Sequence, residues 1–150
     1  MLRRLSRRET LAAGAGAFAA GLGLAADPAR ALNDYADQIK KFTGSQAPVE
    51  GRVKLELPEL AENGNTVPLS VAVDGPMDEG TYVQEILVLA PANPNARVIR
   101  FRFSAASVPE ASTRIRLAET QDVIAVAKLS DGTFFQASRQ IKVTIGGCGG

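Results

Sequence analysis

The single thiol of this chain belongs to Cys148, which stands between two pairs of glycines in Gly146-Gly147-Cys148-Gly149-Gly150. A thiolate attacks sulfur readily, and the bond it forms can be broken again by a second nucleophile. Glycine loses the most freedom on ordering and has no side chain to pack, so the composition predicts a flexible arm over 146–150. Fully extended, such an arm reaches roughly 17 Å, far enough to bring a thiol into a deep cleft of another protein. Bulkier neighbours would block that entry.

The rest of the composition says how the thiol would react. The sequence contains no His, which removes the usual base and the commonest metal ligand at neutral pH. A lone cysteine forms no internal disulfide, and without His no zinc site is credible. The arm offers no basic neighbour, resolving cysteine or helix N-terminus to acidify the thiol. At a reference pKa of about 8.5, only a few per cent is thiolate at pH 7. Activation must then come from a protein that accepts the arm. The reading is a covalent attachment point at Cys148, with no catalytic residue, no cofactor-binding residue and no metal ligand assigned.

The first 31 residues read as an export segment. Arg3, Arg4, Arg7 and Arg8 precede the weakly hydrophobic run Leu11–Ala26, and Ala29-Arg30-Ala31 supplies the small residues of a cleavage site. Ser6-Arg7-Arg8-Glu9-Thr10-Leu11 resembles the twin-arginine signal, with Thr10 where a Phe is more common. Arg7 and Arg8 are therefore the expected export residues, cleavage follows Ala31 or Ala26, and the destination is the periplasm. Without residues 1–31 the chain carries 12 basic against 14 acidic side chains, which leaves no basic patch for nucleic acid. The apolar run is too short and too rich in Ala and Gly to predict a membrane span.

What must hold the arm is the domain over 32–145. Asn33 is placed to cap a helix running to Phe42, with Tyr35, Ile39 and Phe42 on one face and Gly44 as its stop. Beyond Pro48 the apolar period becomes two. Val53–Leu57, Val67–Val73, Tyr82–Leu89, Ile99–Phe103, Ile115–Leu117, Val123–Leu129, Phe134–Ala137 and Ile141–Ile145 read as about eight short strands. Ser130-Asp131-Gly132-Thr133 is a hairpin turn, and Ala90-Pro91-Ala92-Asn93-Pro94-Asn95 is a loop. The count predicts an all-β fold, an immunoglobulin-like sandwich with a short N-terminal helix, or else a small barrel. Arg100/Arg102 and Arg114/Arg116 lie on outward strand positions and read as solvated faces or edge protection.

Taken with the strands before it, the arm resembles SoxY, the sulfur-carrier subunit of the bacterial thiosulfate-oxidising (Sox) system. The resemblance runs through Asn63-Gly64-Asn65-Thr66-Val67-Pro68-Leu69, Ala90–Pro94, Ser112–Ala118, Thr120-Gln121 and Val143–Gly150. It implies a non-enzymatic carrier in which Cys148 holds thiosulfate-derived sulfur and presents it to successive Sox enzymes. The implied partner in a heterodimer is SoxZ, with transient docking to the cytochrome SoxAX, the hydrolase SoxB and the sulfane dehydrogenase SoxCD. It implies no cofactor beyond the sulfur adducts on Cys148.

Three other functions are open to the residues. A ubiquitin-like carrier would bear sulfur on the terminal carboxyl of Gly149-Gly150, but the leader and the missing mid-chain helix argue against it. A periplasmic binding module would use Cys148 only for an intermolecular disulfide. A stand-alone enzyme would turn over thiosulfate by itself, which a chain without His is not expected to do.

Overall fold

The structure, a computed structural model, describes residues 34–147. The expected leader with Arg7 and Arg8, the Asn33 cap, and Cys148, Gly149 and Gly150 lie outside the described residues.

A single described helix, α1 (Asp34–Thr43), precedes nine strands. Asp34 and Asp37 fall in its first turn and Lys40 and Lys41 in its last, each sign facing the helix end it stabilises. Gly44 ends it at φ 63°, and Ser45 N–H donates back to the Lys40 carbonyl at 3.2 Å. A left-handed residue just past the helix closes the last turn this way, and glycine takes that conformation without steric cost.

The strands are β1 (Val49–Glu50), β2 (Val53–Glu56), β3 (Leu60–Asn63), β4 (Val67–Val73) and β5 (Val83–Leu89). They continue with β6 (Arg97–Arg102), β7 (Glu110–Ile115), β8 (Gln121–Leu129) and β9 (Phe134–Ile145). Two sheets form. The larger has the order β1-β9-β8-β5-β6, with β3 also paired to β9, and the smaller has the order β2-β4-β7. Neither closes into a barrel, so the sandwich alternative holds.

The period-two pattern explains the core. Val67, Leu69, Val71 and Val73 of the small sheet face Val123, Ala125, Ala127 and Leu129 of the large one, joined by Val83, Ile86, Val88 and Ile141. Polar residues of the same strands turn outward. Pro68 is tolerated in β4 because β2 pairing ends at Glu56↔Ser70, leaving that stretch one neighbour, β7, instead of two.

The large sheet is covered on its second face as well. Phe42 of α1 meets Phe134 edge-on with centroids 5.9 Å apart, and the Arg100 guanidinium lies 5.3 Å from the Phe42 ring centroid. Phe42 therefore reaches both β9 and β6, and Val126 and Leu87 of the two strands between them are fully buried. Arg100 and Arg102 converge on Glu85, at 3.6 and 3.0 Å. They stand on the outermost strand of the large sheet and Arg114 on that of the small one, positions that fit edge protection.

Several boundaries differ from the expected ones. Phe134–Ala137 and Ile141–Ile145 are one strand, β9, because Ser138, Arg139 and Gln140 pair with Ile124, Val123 and Asp122 of β8. β7 spans Glu110–Ile115, earlier than the Ile115–Leu117 expected, and β1 and β3 have no counterpart in the sequence reading. Both of these pair in parallel with β9, through segments with no alternation to mark them.

Candidate functional site

The residues that lead into the thiol are fixed by the end of β9. On its free side β9 receives β3 in parallel register, Ala61↔Val143 and Asn63↔Ile145. The chain of β3 then turns at Asn63-Gly64-Asn65, where the Asn63 side-chain oxygen accepts the Asn65 N–H at 2.9 Å. That turn aims the Gly64 amide at the Ile145 carbonyl, 2.7 Å away. The Gly64 carbonyl in turn accepts the Leu117 N–H at 2.8 Å, and the Leu117 carbonyl accepts the Gly147 N–H at 2.8 Å. Three backbone segments thus close a ring of hydrogen bonds around Ile145-Gly146-Gly147.

The approach is too close for side chains. A Cβ on Gly64 would overlap the Leu117 carbonyl oxygen and come within 2.7 Å of the Gly147 nitrogen. One on Gly146 would overlap the Ala118 carbonyl oxygen, and one on Gly147 would stand 2.7 Å from the Gly64 oxygen. None of the three has the positive φ that marks Gly44, Gly51 and Gly132. Their glycine is required by contact.

Gly146 and Gly147 were expected to belong to a flexible arm over 146–150. In the structure Gly147 is buried and its amide is paired, while 148–150 lie outside the described residues. Glycine serves two opposite purposes, freedom of backbone and closeness of backbone, and composition does not separate them.

A polar knot supports the ring from behind. Asn93, 4% exposed, donates to the Arg116 carbonyl at 2.8 Å and accepts the Ala118 N–H at 2.9 Å. Gln121, 7% exposed, donates to the Asn93 side-chain oxygen at 3.1 Å and accepts the Ala92 N–H at 2.9 Å. Thr120 accepts the Val143 N–H at 2.9 Å through its hydroxyl. The loops 90–96 and 116–121 are thereby tied to each other and to β9. Beside them an open cavity of about 330 Å³ lies between Tyr35 of α1, Pro91, Glu119 and Ile124.

Residues from each of the five stretches that carried the family resemblance meet at this one place. Their roles were not legible from residue types. The only signal was their joint presence with the terminal glycines. Among the described residues no group of three or more His, Cys, Asp and Glu side chains is placed to hold a metal ion. The hydrogen bonds around the stem are made by backbone amides and carbonyls and by the side chains of Asn63, Asn93, Thr120 and Gln121.

The described residues thus form an open β-sandwich, a scaffold whose backbone pins the peptide immediately before the one cysteine of the sequence. The family model for the sulfur oxidation protein SoxY matches residues 39–148, from α1 to the cysteine itself. This chain belongs to the SoxY family. The solved structure of the sulfur carrier protein SoxY from Chlorobium limicola f thiosulfatophilum is 33% identical, with a TM-score of 0.64, and the match covers 74% of this chain and 96% of that one. The superoxide reductase (neelaredoxin) from Ignicoccus hospitalis matches with a TM-score of 0.56 and 19% identity over 62% of this chain and 80% of its own. The superoxide reductase from Nanoarchaeum equitans does so at 0.54 and 12%, over 64% and 100%. Those two share the fold alone. Among curated proteins, none matches the sequence.

Proposed function

We propose that this chain is a periplasmic, non-enzymatic sulfur carrier that holds thiosulfate-derived intermediates covalently on Cys148. The carrier role itself follows from family membership and the likeness to the Chlorobium protein. The observation that carries the finer reading is the pinned stem, which ends at Gly147, one residue before the only thiol of the chain.

In the first step the Cys148 thiol and the sulfane sulfur of thiosulfate form a disulfide bond. The thiol gives up its proton and two electrons pass to a c-type cytochrome, the part SoxAX plays in the family. Water then attacks the terminal sulfone under a hydrolase such as SoxB, the bond between the sulfane sulfur and the sulfone breaks, and sulfate and a cysteine persulfide remain. A sulfane dehydrogenase, SoxCD, would pass six electrons from that persulfide to a c-type cytochrome while three waters supply its oxygens and six protons leave, and a second hydrolysis would release sulfate and return the thiol. The chain supplies attachment and position in each step. SoxZ is the proposed stable partner, and the leader with Arg7 and Arg8 the proposed route across the membrane.

The test is the intact mass of the protein recovered without reductant from the periplasmic fraction of thiosulfate-grown cells, before and after reduction. A mass lacking residues 1–26 or 1–31 plus reducible sulfur adducts on Cys148 is the expected result. Cys148→Ser should bind SoxZ and abolish thiosulfate-dependent electron transfer. Plain thiol or a simple disulfide dimer, with turnover kept in the variant, would replace the carrier by a binding module.

A further inference from the structure

We propose that Gly64, Gly146 and Gly147 are positioning residues that fix the point from which the carrier cysteine leaves the fold. The inference rests on the carrier reading and deepens it. A free five-residue arm would let the thiol search a wide volume. Here the Gly147 amide is bonded to Leu117, the Ile145 carbonyl to Gly64, and the Gly64 carbonyl back to Leu117. Gly147, which precedes Cys148 in the sequence, is therefore anchored backbone, and acceptor enzymes meet an arm that starts from one place on the sandwich.

The three glycines are interdependent. The Cβ that Gly64 lacks is the space used by Leu117 and Gly147, and the Cβ that Gly147 lacks is the space beside the Gly64 carbonyl. Since Gly64 has no positive φ, an alanine there acts through its Cβ, which would crowd the Leu117 carbonyl oxygen and the Gly147 nitrogen and so displace the stem from its clamp. Gly64, 84 positions before Cys148 in the sequence, thereby sets where the thiol is presented. The loss expected from displacing the stem is one of docking, since the thiol's own reactivity depends on its immediate neighbours.

Amide exchange in the mature full-length protein, free and in its complex with the stable partner, tests the clamp directly. The Gly64, Leu117 and Gly147 amides should be protected by at least about 100-fold over unstructured rates. Gly64→Ala should cut the protection of Gly147 at least about tenfold while Val126, in the sheet centre, keeps its own. In the reconstituted thiosulfate-oxidising system Gly64→Ala should raise the KM for the carrier severalfold with little change in kcat. Its alkylation rate by iodoacetamide should stay equal or rise. Should Gly64→Ala fail to fold, Gly147→Ala makes the same test from the other side of the contact. An unprotected Gly147 amide in the wild type, or an unchanged KM in a folded variant with the stem displaced, overturns the proposal. Failure of the carrier reading would show separately, as turnover surviving in Cys148→Ser with the amide protection intact.

Discussion

Asn93 shows how one side chain can organise a site it does not belong to. Its amide spans two loops by donating to Arg116 and accepting from Ala118, while Gln121 shares its oxygen. Replacing it with Ala leaves a buried N–H and a buried carbonyl without partners, each costing about 1–3 kcal/mol. Asn93→Ala should therefore lose about 2–4 kcal/mol in urea unfolding, with the midpoint shifted and the slope unchanged. In the sequence this residue lies between two prolines and reads only as loop. Nothing in its type says that it is buried, because burial of an amide depends on which loop arrives opposite. The pairing of Gly147 was not legible for a related reason. Its neighbour across the contact, Gly64, is remote in the chain, and no local pattern announces the meeting.

At the level of elements, the best-read segment was the turn between β8 and β9. Asp131 accepts both the Thr133 hydroxyl, at 2.6 Å, and the Thr133 N–H, at 2.9 Å, while Gly132 takes φ 85°. The Thr133 hydroxyl, and then its amide, hold the Asp131 carboxyl below its ordinary pKa. A lowered folded-state pKa means the ionised form is favoured on folding, so this stabilisation is present above the ordinary Asp value and fades as pH falls through the depressed one. The Thr133 amide shift should accordingly titrate below the ordinary Asp range and show no step there in Asp131→Asn. Asp-Gly is legible because its requirement is local. The continuity of β9 was not, since Ser138-Arg139-Gln140 carries no apolar alternation and is held by backbone pairing to β8. β3 escaped notice likewise: Ala61 is its only buried residue, and a parallel partner is chosen by topology.

Across the whole molecule, the large sheet is the middle of three layers, with the small sheet on one face and α1 on the other. The helix does more than precede the fold, because Phe42 touches both Phe134 and Arg100 above the buried Leu87 and Val126. Phe42→Ala should cost about 1–3 kcal/mol, from lost apolar burial and the lost aromatic and cation contacts. A thermal scan checks it, with a drop of roughly 3–15 °C expected for a domain of this size. The sandwich and its alternating core could be read from period two, and α1 from its apolar face and Gly44. Which sheet the helix covers could not, since that is decided by pairing between strands up to 86 positions apart, as in Glu50 and Gln136.

The parallel docking of β3 on β9 also has a mechanical meaning. On the proposed carrier role, an enzyme that closes on the cysteine and then draws away loads the C-terminal end of β9. Along the axis of that strand the hydrogen bonds to β8 on one side and to β1 and β3 on the other lie across the load. They are sheared together and not unzipped one by one. A pull on the C-terminal end of β9 is thus carried by its pairing to β8, β1 and β3 together.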